Sequence, residues 1–240
     1  MEIIRLETTD STNNWVNSHE SEIPSPALVY TITQTAGRGQ RGNSWESEPG
    51  KNITASLIFH PLDFPASRQF QISESIALSL IDYLKQKRVT AKIKWPNDIY
   101  VGDKKIAGIL VENVVTGKDI TRTIAGFGLN LNQKIFESPA PNPVSLFNIT
   151  GTEYDLETEI AEVASFISRR ISSLTSPSLH DEFKNRLWRY DRNLHKFHDK
   201  IRDEIIFASI KDVGNDGILT LVTNIGEPRS FAFKEIEFIL

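Results

Sequence analysis

Apolar positions along the chain follow two rhythms. Residues 2–7 (EIIRLE), 27–33 (ALVYTIT) and 52–59 (NITASLIF) are rich in β-branched residues or alternate with period two, and they predict strands. The same holds for 91–95 (AKIKW), 98–101 (DIYV), 105–115 (KIAGILVENVV) and 121–132 (TRTIAGFGLNLN). Pro96 cuts off the first of these, because a residue before proline is pushed to extended geometry. Gly102-Asp103 joins the next two as a hairpin. The helical rhythm is clearest after Pro65-Ala66-Ser67, where Phe70, Ile76, Ala77, Leu80, Ile81 and Leu84 fall on one stripe. Asp10, Ser11 and Thr12 are suited to cap a short helix through Trp15 and Val16. Residues 132–152 predict a loop, and two helices follow, over about 156–174 and 177–190. From about Asn193 short strands are punctuated by GNDG and IGEP turns. They predict a small all-β barrel at 193–240, after a main unit at 1–192 with a mixed central sheet and flanking helices. The expected class is therefore α+β.

Composition narrows the function more than the fold. The chain has 240 residues, 39% hydrophobic and 24% charged, with 27 Lys and Arg against 31 Asp and Glu, a net charge of −4. A protein that coats nucleic acid needs an excess of cations, so that class is disfavoured. With no cysteine, disulfides, thiolate metal sites and cysteine nucleophiles are excluded. The absence also fits a reducing cytoplasm. The N-terminal residues lack a charged-then-apolar export pattern, and no apolar run approaches the ~18 residues needed to span a bilayer.

Candidate chemistry begins at residues 36–45, AGRGQRGNSW. Gly37-x-Gly39-x-x-Gly42 spells a dinucleotide fingerprint, but that fold needs the loop to open directly into a helix. Here Pro49-Gly50 would break such a helix and a strand follows. A solvated hairpin tip remains open as a reading. The alternative rests on charge: two arginines and no acid lie between Gln34 and Trp45. Glycines let backbone N–H groups approach a ligand, and guanidinium matches carboxylate or phosphate. Such a loop suits two anions that must meet, as when a carboxylate attacks the α-phosphate of ATP.

Residues 93–108 extend this chemistry. Lys92 and Lys94 share a strand face, Asp98 stands at the strand mouth as a candidate Mg²⁺ ligand, and Lys105 lies beside small Ala107 and Gly108. Gly126 and Gly128 share one face of the next predicted strand. His195 and His198, three apart, are weighed as metal ligands against a place at the junction of the two units.

Four stretches in this order, DSTNNW, QTAGRGQRGNSW, KWPNDIYVGDKKIAGILVE and GFGLNLN, resemble the biotin–protein ligases. The resemblance implies a catalytic fold like that of class II aminoacyl-tRNA synthetases, with a small SH3-like barrel behind it. It implies ATP, Mg²⁺ and biotin as the molecules handled, and a biotin carboxyl carrier protein or carrier domain of a biotin-dependent carboxylase as partner. It implies that Ser11, Thr12 and Gln34 hold the biotin ring, with Asn13 beside them. Arg38, Gly39 and Gln40 lie in the loop that closes over biotin and its adenylate, flanked by Gly37 and Arg41. Lys105 falls near the biotin carboxyl and α-phosphate, and Trp45 and Asn130 at the adenine. Lys94, Gly108, Gly126 and Gly128 complete the binding set. Arg38, Lys105 and Asp98 are the catalytic candidates, Asp98 serving the metal or the acceptor amine. Gln40 departs from an arginine common in the family, which bears on how tightly the adenylate is retained. The DSTNN motif starts at residue 10 and leaves no room for the DNA-binding domain of the family's repressors, so DNA binding is not expected. A monomer or weak homodimer is expected. A lipoate–protein ligase-like enzyme and a non-catalytic biotin or nucleotide-binding regulator are the alternatives.

Overall fold

The structure, a computed structural model, describes residues 1–137 and 142–240, and the side chain of Arg41 lies outside the described residues. In chain order the first part contains β1 (Glu2–Thr9), α1 (Thr12–Ser18), β2 (Ala27–Gln34), β3 (Ile53–Phe59), α2 (Phe70–Gln86), β4 (Lys92–Lys94), β5 (Asp98–Val101), β6 (Lys104–Thr116) and β7 (Asp119–Leu129). After them come α3 (Leu146–Thr150), α4 (Leu156–Ser172) and α5 (Leu179–Asn185). β8 (His195–Asp199), β9 (Glu204–Val213), β10 (Leu219–Thr223), β11 (Pro228–Phe231) and β12 (Ile236–Phe238) close the chain.

The first seven strands form one mixed sheet in the order β1-β2-β3-β7-β6-β5-β4. Only β1 and β2 run parallel. Cross-strand register sorts the side chains into rows. Ile93, Ile99, Ala107, Leu129 and Ile53 stand opposite one another, strand by strand, on the face that builds the main core with α2 and α4. On the other face Ala27, Ile58 and Ile124 form a second, smaller core under α1 with Val16 and Ile23. Farther along that same face the apolar residues give way to Ser56 and Gly126, and then to Lys94, Asp98, Gly108, Gly128 and Thr54 in one row. α1 covers the apolar end, and the polar and glycine end stays open as the floor of a cavity.

The last five strands form a second sheet, β11-β10-β9-β8-β12. Its core is continuous with the main one through Phe197, Ala208 and Leu221. Trp95 donates its indole N–H to Gly217 O at 2.9 Å, Arg189 donates to Ile239 O at 2.9 Å, and Trp188 packs on Phe238.

Three elements depart from the sequence expectation. The stretch 132–152 contains α3, capped by Ser145, whose hydroxyl accepts from Asn148 N while the Asn148 amide oxygen accepts from Ser145 N; residues 138–141 of that stretch lie outside the described residues. The helix expected to Tyr190 stops at Asn185, because Leu187 and Trp188 are drawn into a parallel bridge along the outer edge of β4, covering an edge that would otherwise be open. β8 is a strand that periodicity did not reveal, and its two histidines each face a carboxylate: His195 Nε2 lies 2.9 Å from Asp191 and His198 Nε2 2.8 Å from Asp203.

Candidate active site

Three glycines make the floor possible. A Cβ on Gly128 would stand 2.1 Å from the Trp45 indole, and one on Gly108 would stand 3.1 Å from the same ring. A Cβ on Gly126 would lie 2.2 Å from Asn13 Oδ1. Trp45, at the end of the glycine-rich loop, therefore rests flat on bare backbone of β6 and β7, and Asn13 rests on the neighbouring row. Above this floor is a cavity of about 400 Å³, within the range of small-molecule sites.

One end of the cavity is a neutral hydrogen-bonding nest at the start of α1. Thr12 N donates to Gln34 Oε1 at 3.0 Å. The Ser56 hydroxyl lies 2.7 Å from Thr12 Oγ1 and 2.6 Å from Asn13 Oδ1 and donates to one or the other. Ser11, Thr12, Asn13 and Ser56 are all buried.

The other end is cationic. Lys105 Nζ lies 2.7 Å from Asp98 Oδ1 and 5.5 Å from the centre of the Trp45 ring. Strict alternation would turn Lys105 to the same face as Ala107. A register shift between Ile99 and Tyr100 inserts Ile106 as an extra residue and releases Lys105 from that alternation. Lys94 stands over the rings of Tyr100 (5.0 Å) and Phe238 (5.6 Å). Burial pushes its ammonium below the ordinary lysine range, partly opposed by the Asp98 charge. The second sheet adds Lys200, Lys234 and Glu237 to this wall, with Lys200 paired to Glu237 at 2.8 Å. Four lysines against two carboxylates leave this end with an excess of positive charge, which favours an anionic ligand. The Trp45 indole N–H is buried against the floor and makes no hydrogen bond among the described residues.

The structure gathers nearly all the residues singled out from the sequence. Ser11, Thr12, Asn13, Gln34, Arg38, Gly39, Gln40, Trp45, Lys94, Asp98, Lys105, Gly108, Gly126 and Gly128 line one cavity. Gly37 is pressed between Trp45 and Gln34 and sets the loop's course behind the wall. Asn130 stands outside the lining, where its amide donates to Val144 O at 3.0 Å. Arg38 lines the cavity mouth, yet its guanidinium is engaged by Glu112 Oε1 at 2.6 Å and by Asn14. Lys92 shares the strand face of Lys94 but reaches Asn185 O instead of the cavity. Arg41 is the one candidate whose side chain falls outside the described residues.

Sequence reasoning missed Ser56, Glu112, Asn97 and the residues of the second sheet. The first two left a signal: Ser56 repeats the polarity of Thr54 two positions on in an apolar strand, and Glu112 is the one acidic residue of β6, following the aliphatic run 109–111. Asn97 donates to Ile109 O at 2.6 Å and pins the turn after β4. Lys200 and Lys234 left none, because nothing local relates them to a floor more than seventy residues earlier.

This floor, loop and sheet order define an α+β ligase-type catalytic fold, and comparison with known proteins places it. Residues 5–130 match the sequence model of the biotin/lipoate A/B protein ligase family, and the chain belongs to that family. It is 35% identical over 159 residues to a biotin–[acetyl-CoA-carboxylase] ligase of Paracoccus denitrificans, a stretch covering 63% of this chain and 65% of that protein. It is 34% identical over 146 residues to the bifunctional ligase/repressor BirA of Escherichia coli, covering 57% of this chain and 43% of that protein. The chain thus spans well under half the length of the BirA proteins it matches. A biotin protein ligase of Aquifex aeolicus, solved in complex with biotin and ATP, has the same fold: the TM-score is 0.79 at 22% identity, over 99% of this chain and 98% of that one.

Proposed function

We propose that this protein is a biotin–protein ligase: it joins biotin to ATP as biotinyl-5′-AMP and then passes biotin to one lysine of a biotin carboxyl carrier domain. The observation that carries this reading is the row Lys94, Asp98, Gly108, Gly128. It sets bare backbone, a carboxylate and a shielded cation along one lane, with Lys105 beside it. The neutral nest at Ser11, Thr12, Asn13 and Gln34 suits an uncharged ring rich in hydrogen-bonding groups, and the lysine end suits the carboxylate and the phosphates. Asn130 acts indirectly at the nucleotide end, by holding the Val144 segment against the Lys105 strand.

In the first step a biotin carboxylate oxygen attacks the α-phosphorus and the bond to pyrophosphate breaks. Lys105 and Lys94 offset the repulsion of the meeting anions in a site screened from water. In the second step the neutral amine of the acceptor lysine attacks the acyl carbon and AMP leaves. Asp98, already 2.7 Å from the Lys105 ammonium, is suited to accept a hydrogen bond from that amine and to take the proton it sheds as the amide forms. Because the chain has no cysteine, no enzyme thioester stands between the steps. Among the described residues no three acidic, histidine or cysteine side chains are placed to hold a metal ion together. A single carboxylate such as Asp98 still fits Mg²⁺, which keeps waters and phosphate oxygens as most of its ligands and would supply charge neutralisation there.

The residues from 193 onward are read as a separate SH3-like barrel that walls the cavity with Lys200 and Lys234. The reading carries with it cytoplasmic residence, no DNA binding, and a monomer or weak homodimer. Incubation with biotin, MgATP and a carrier domain should raise the carrier's mass by one biotinyl group. A mass gain with lipoate but not biotin would transfer the proposal to lipoate ligation. Biotin binding without pyrophosphate release would reduce it to a regulator.

A further inference from the structure

Among the described residues, the glycine-rich loop is held to the body of the protein at few points. Within residues 37–45 the backbone bonds are local: Gly39 N to Asn43 O at 2.7 Å, Asn43 N to Gln40 O at 3.3 Å and Trp45 N to Gly37 O at 2.9 Å. Among the described residues, every hydrogen bond from this segment to the rest of the molecule is made by the Arg38 guanidinium. One goes to Asn14 Oδ1 and the other to Glu112 Oε1, the latter at 2.6 Å. Apart from these, the loop is seated by the Trp45 ring on Gly108 and Gly128.

Glu112 does not end at Arg38. Its second oxygen, Oε2, accepts from Asn13 Nδ2 at 2.7 Å, and Asn13 Oδ1 lies 2.6 Å from Ser56 Oγ. Asn13 is wedged over Gly126, so it moves only if the floor opens. A single carboxylate on β6 therefore holds the loop with one oxygen and the start of α1 with the other. An arginine already paired in this way presents little net charge to an incoming anion, so its present contacts serve loop position and not phosphate binding.

We propose that Glu112 is a positioning residue that latches the glycine-rich loop, through Arg38, to the ring-binding end of the cavity. The inference rests on the ligase reading only for what the cavity holds. Both side chains are about two-fifths exposed, 42% and 40%. Exposed ion pairs weight a conformation by only about two- to fivefold. The latch therefore biases the loop toward closure without locking it, as a loop that opens in every turnover requires.

The test is hydrogen–deuterium exchange of residues 37–45 in the ligand-free full chain, for the wild type, Glu112→Gln, Arg38→Gln and the double variant. Glu112→Gln should speed loop exchange about two- to fivefold, Arg38→Gln at least as much because it also loses the Asn14 bond, and the double variant should exchange no faster than Arg38→Gln alone. Unchanged exchange in Glu112→Gln overturns the proposal. So does a double variant that exchanges faster than Arg38→Gln, which would mean that Glu112 supports the fold without acting through Arg38. If Glu112→Gln loses its cooperative melt, Glu112→Asp decides in its place: it keeps the charge but shortens the reach, and it should accelerate exchange likewise. Because the measurement uses no ligand, a chain that fails to biotinylate a carrier domain refutes the proposed function while leaving this result to stand or fall separately.

Discussion

Gly128 shows how far one missing side chain reaches. The methyl group of an alanine there would stand 2.1–2.4 Å from three atoms of the Trp45 ring. Neither partner can give way in place, because the strand is paired on both sides and the ring is flat against it. The indole must leave. Overpacking of this kind costs about 1–3 kcal/mol where it cannot be relieved, but Trp45 sits on a loop that can swing. Gly128→Ala is therefore expected to lose less than about 1 kcal/mol of stability in urea unfolding, while pyrophosphate exchange falls at least about tenfold, which corresponds to about 1.4 kcal/mol of barrier. A stability loss with intact exchange would show that the bare floor serves packing and not the ligand. The glycine was legible in the sequence as one of a pair on a strand face; that its counterpart is Trp45, some eighty residues earlier, was not.

At the scale of elements, α3 is short, yet it fixes the cationic end of the floor. Leu146 N donates to Asn130 O at 3.0 Å, and Val144 N to Lys105 O at 2.9 Å, so the helix entry clamps the ends of β6 and β7 together. Its N-cap, Ser145, is fully buried. Removing such a cap costs about 0.5–2 kcal/mol, so Ser145→Ala should lower the unfolding free energy by about 1 kcal/mol. If the clamp also positions Lys105, the KM for ATP should rise more than kcat falls; equal KM values in variant and wild type would confine α3 to a structural role. The helix was hidden in the sequence because its five residues carry no apolar repeat and its cap partner is Asn148, where the usual box has Glu or Gln. The β6 bulge was hidden for a different reason. Hydrophobic alternation reports which face a residue would take in a regular strand, and the inserted Ile106 is apolar like the Ala107 that follows it, so nothing in the pattern marks the shift that frees Lys105.

At the scale of the molecule, the two sheets are locked through a buried polar contact. His180 of α5 donates from Nε2 to Val213 O at 2.9 Å, and its Nδ1 lies 2.6 Å from Glu74 Oε1 of α2. Val213 O only accepts, so Nε2 carries a hydrogen and one further proton sits between Nδ1 and the carboxylate. Burial pushes the Glu74 carboxyl above the usual range, and His180 opposes that rise. His180→Ala removes the opposition and leaves a buried carboxylate alone, a change that costs about 3–5 kcal/mol. A carboxyl whose folded pKa is raised holds its proton in the folded state, so stability falls as pH rises through that value. The variant's deficit in urea unfolding should therefore be larger at pH 8 than at pH 5, and Glu74→Gln in the same background should remove the difference. A deficit independent of pH would mean that the loss is one of packing alone.

Much of this protein is written locally. Strand alternation, the stripe of α2, the breaks at Pro96 and Gly102, and four ordered motifs were enough to indicate the class of fold and most of the cavity, because each depends on residues within one or two turns of one another. Tertiary structure alone decided which rows align across the sheet, where Lys105 points, that Arg38 is paired with Glu112, and that the second sheet closes the cationic end with Lys200 and Lys234. The physical reason is distance along the chain. Side-chain pairing joins groups as far apart as the 74 residues between Arg38 and Glu112, and which group meets which is set by the summed packing of the whole core, not by any stretch of sequence that could announce it.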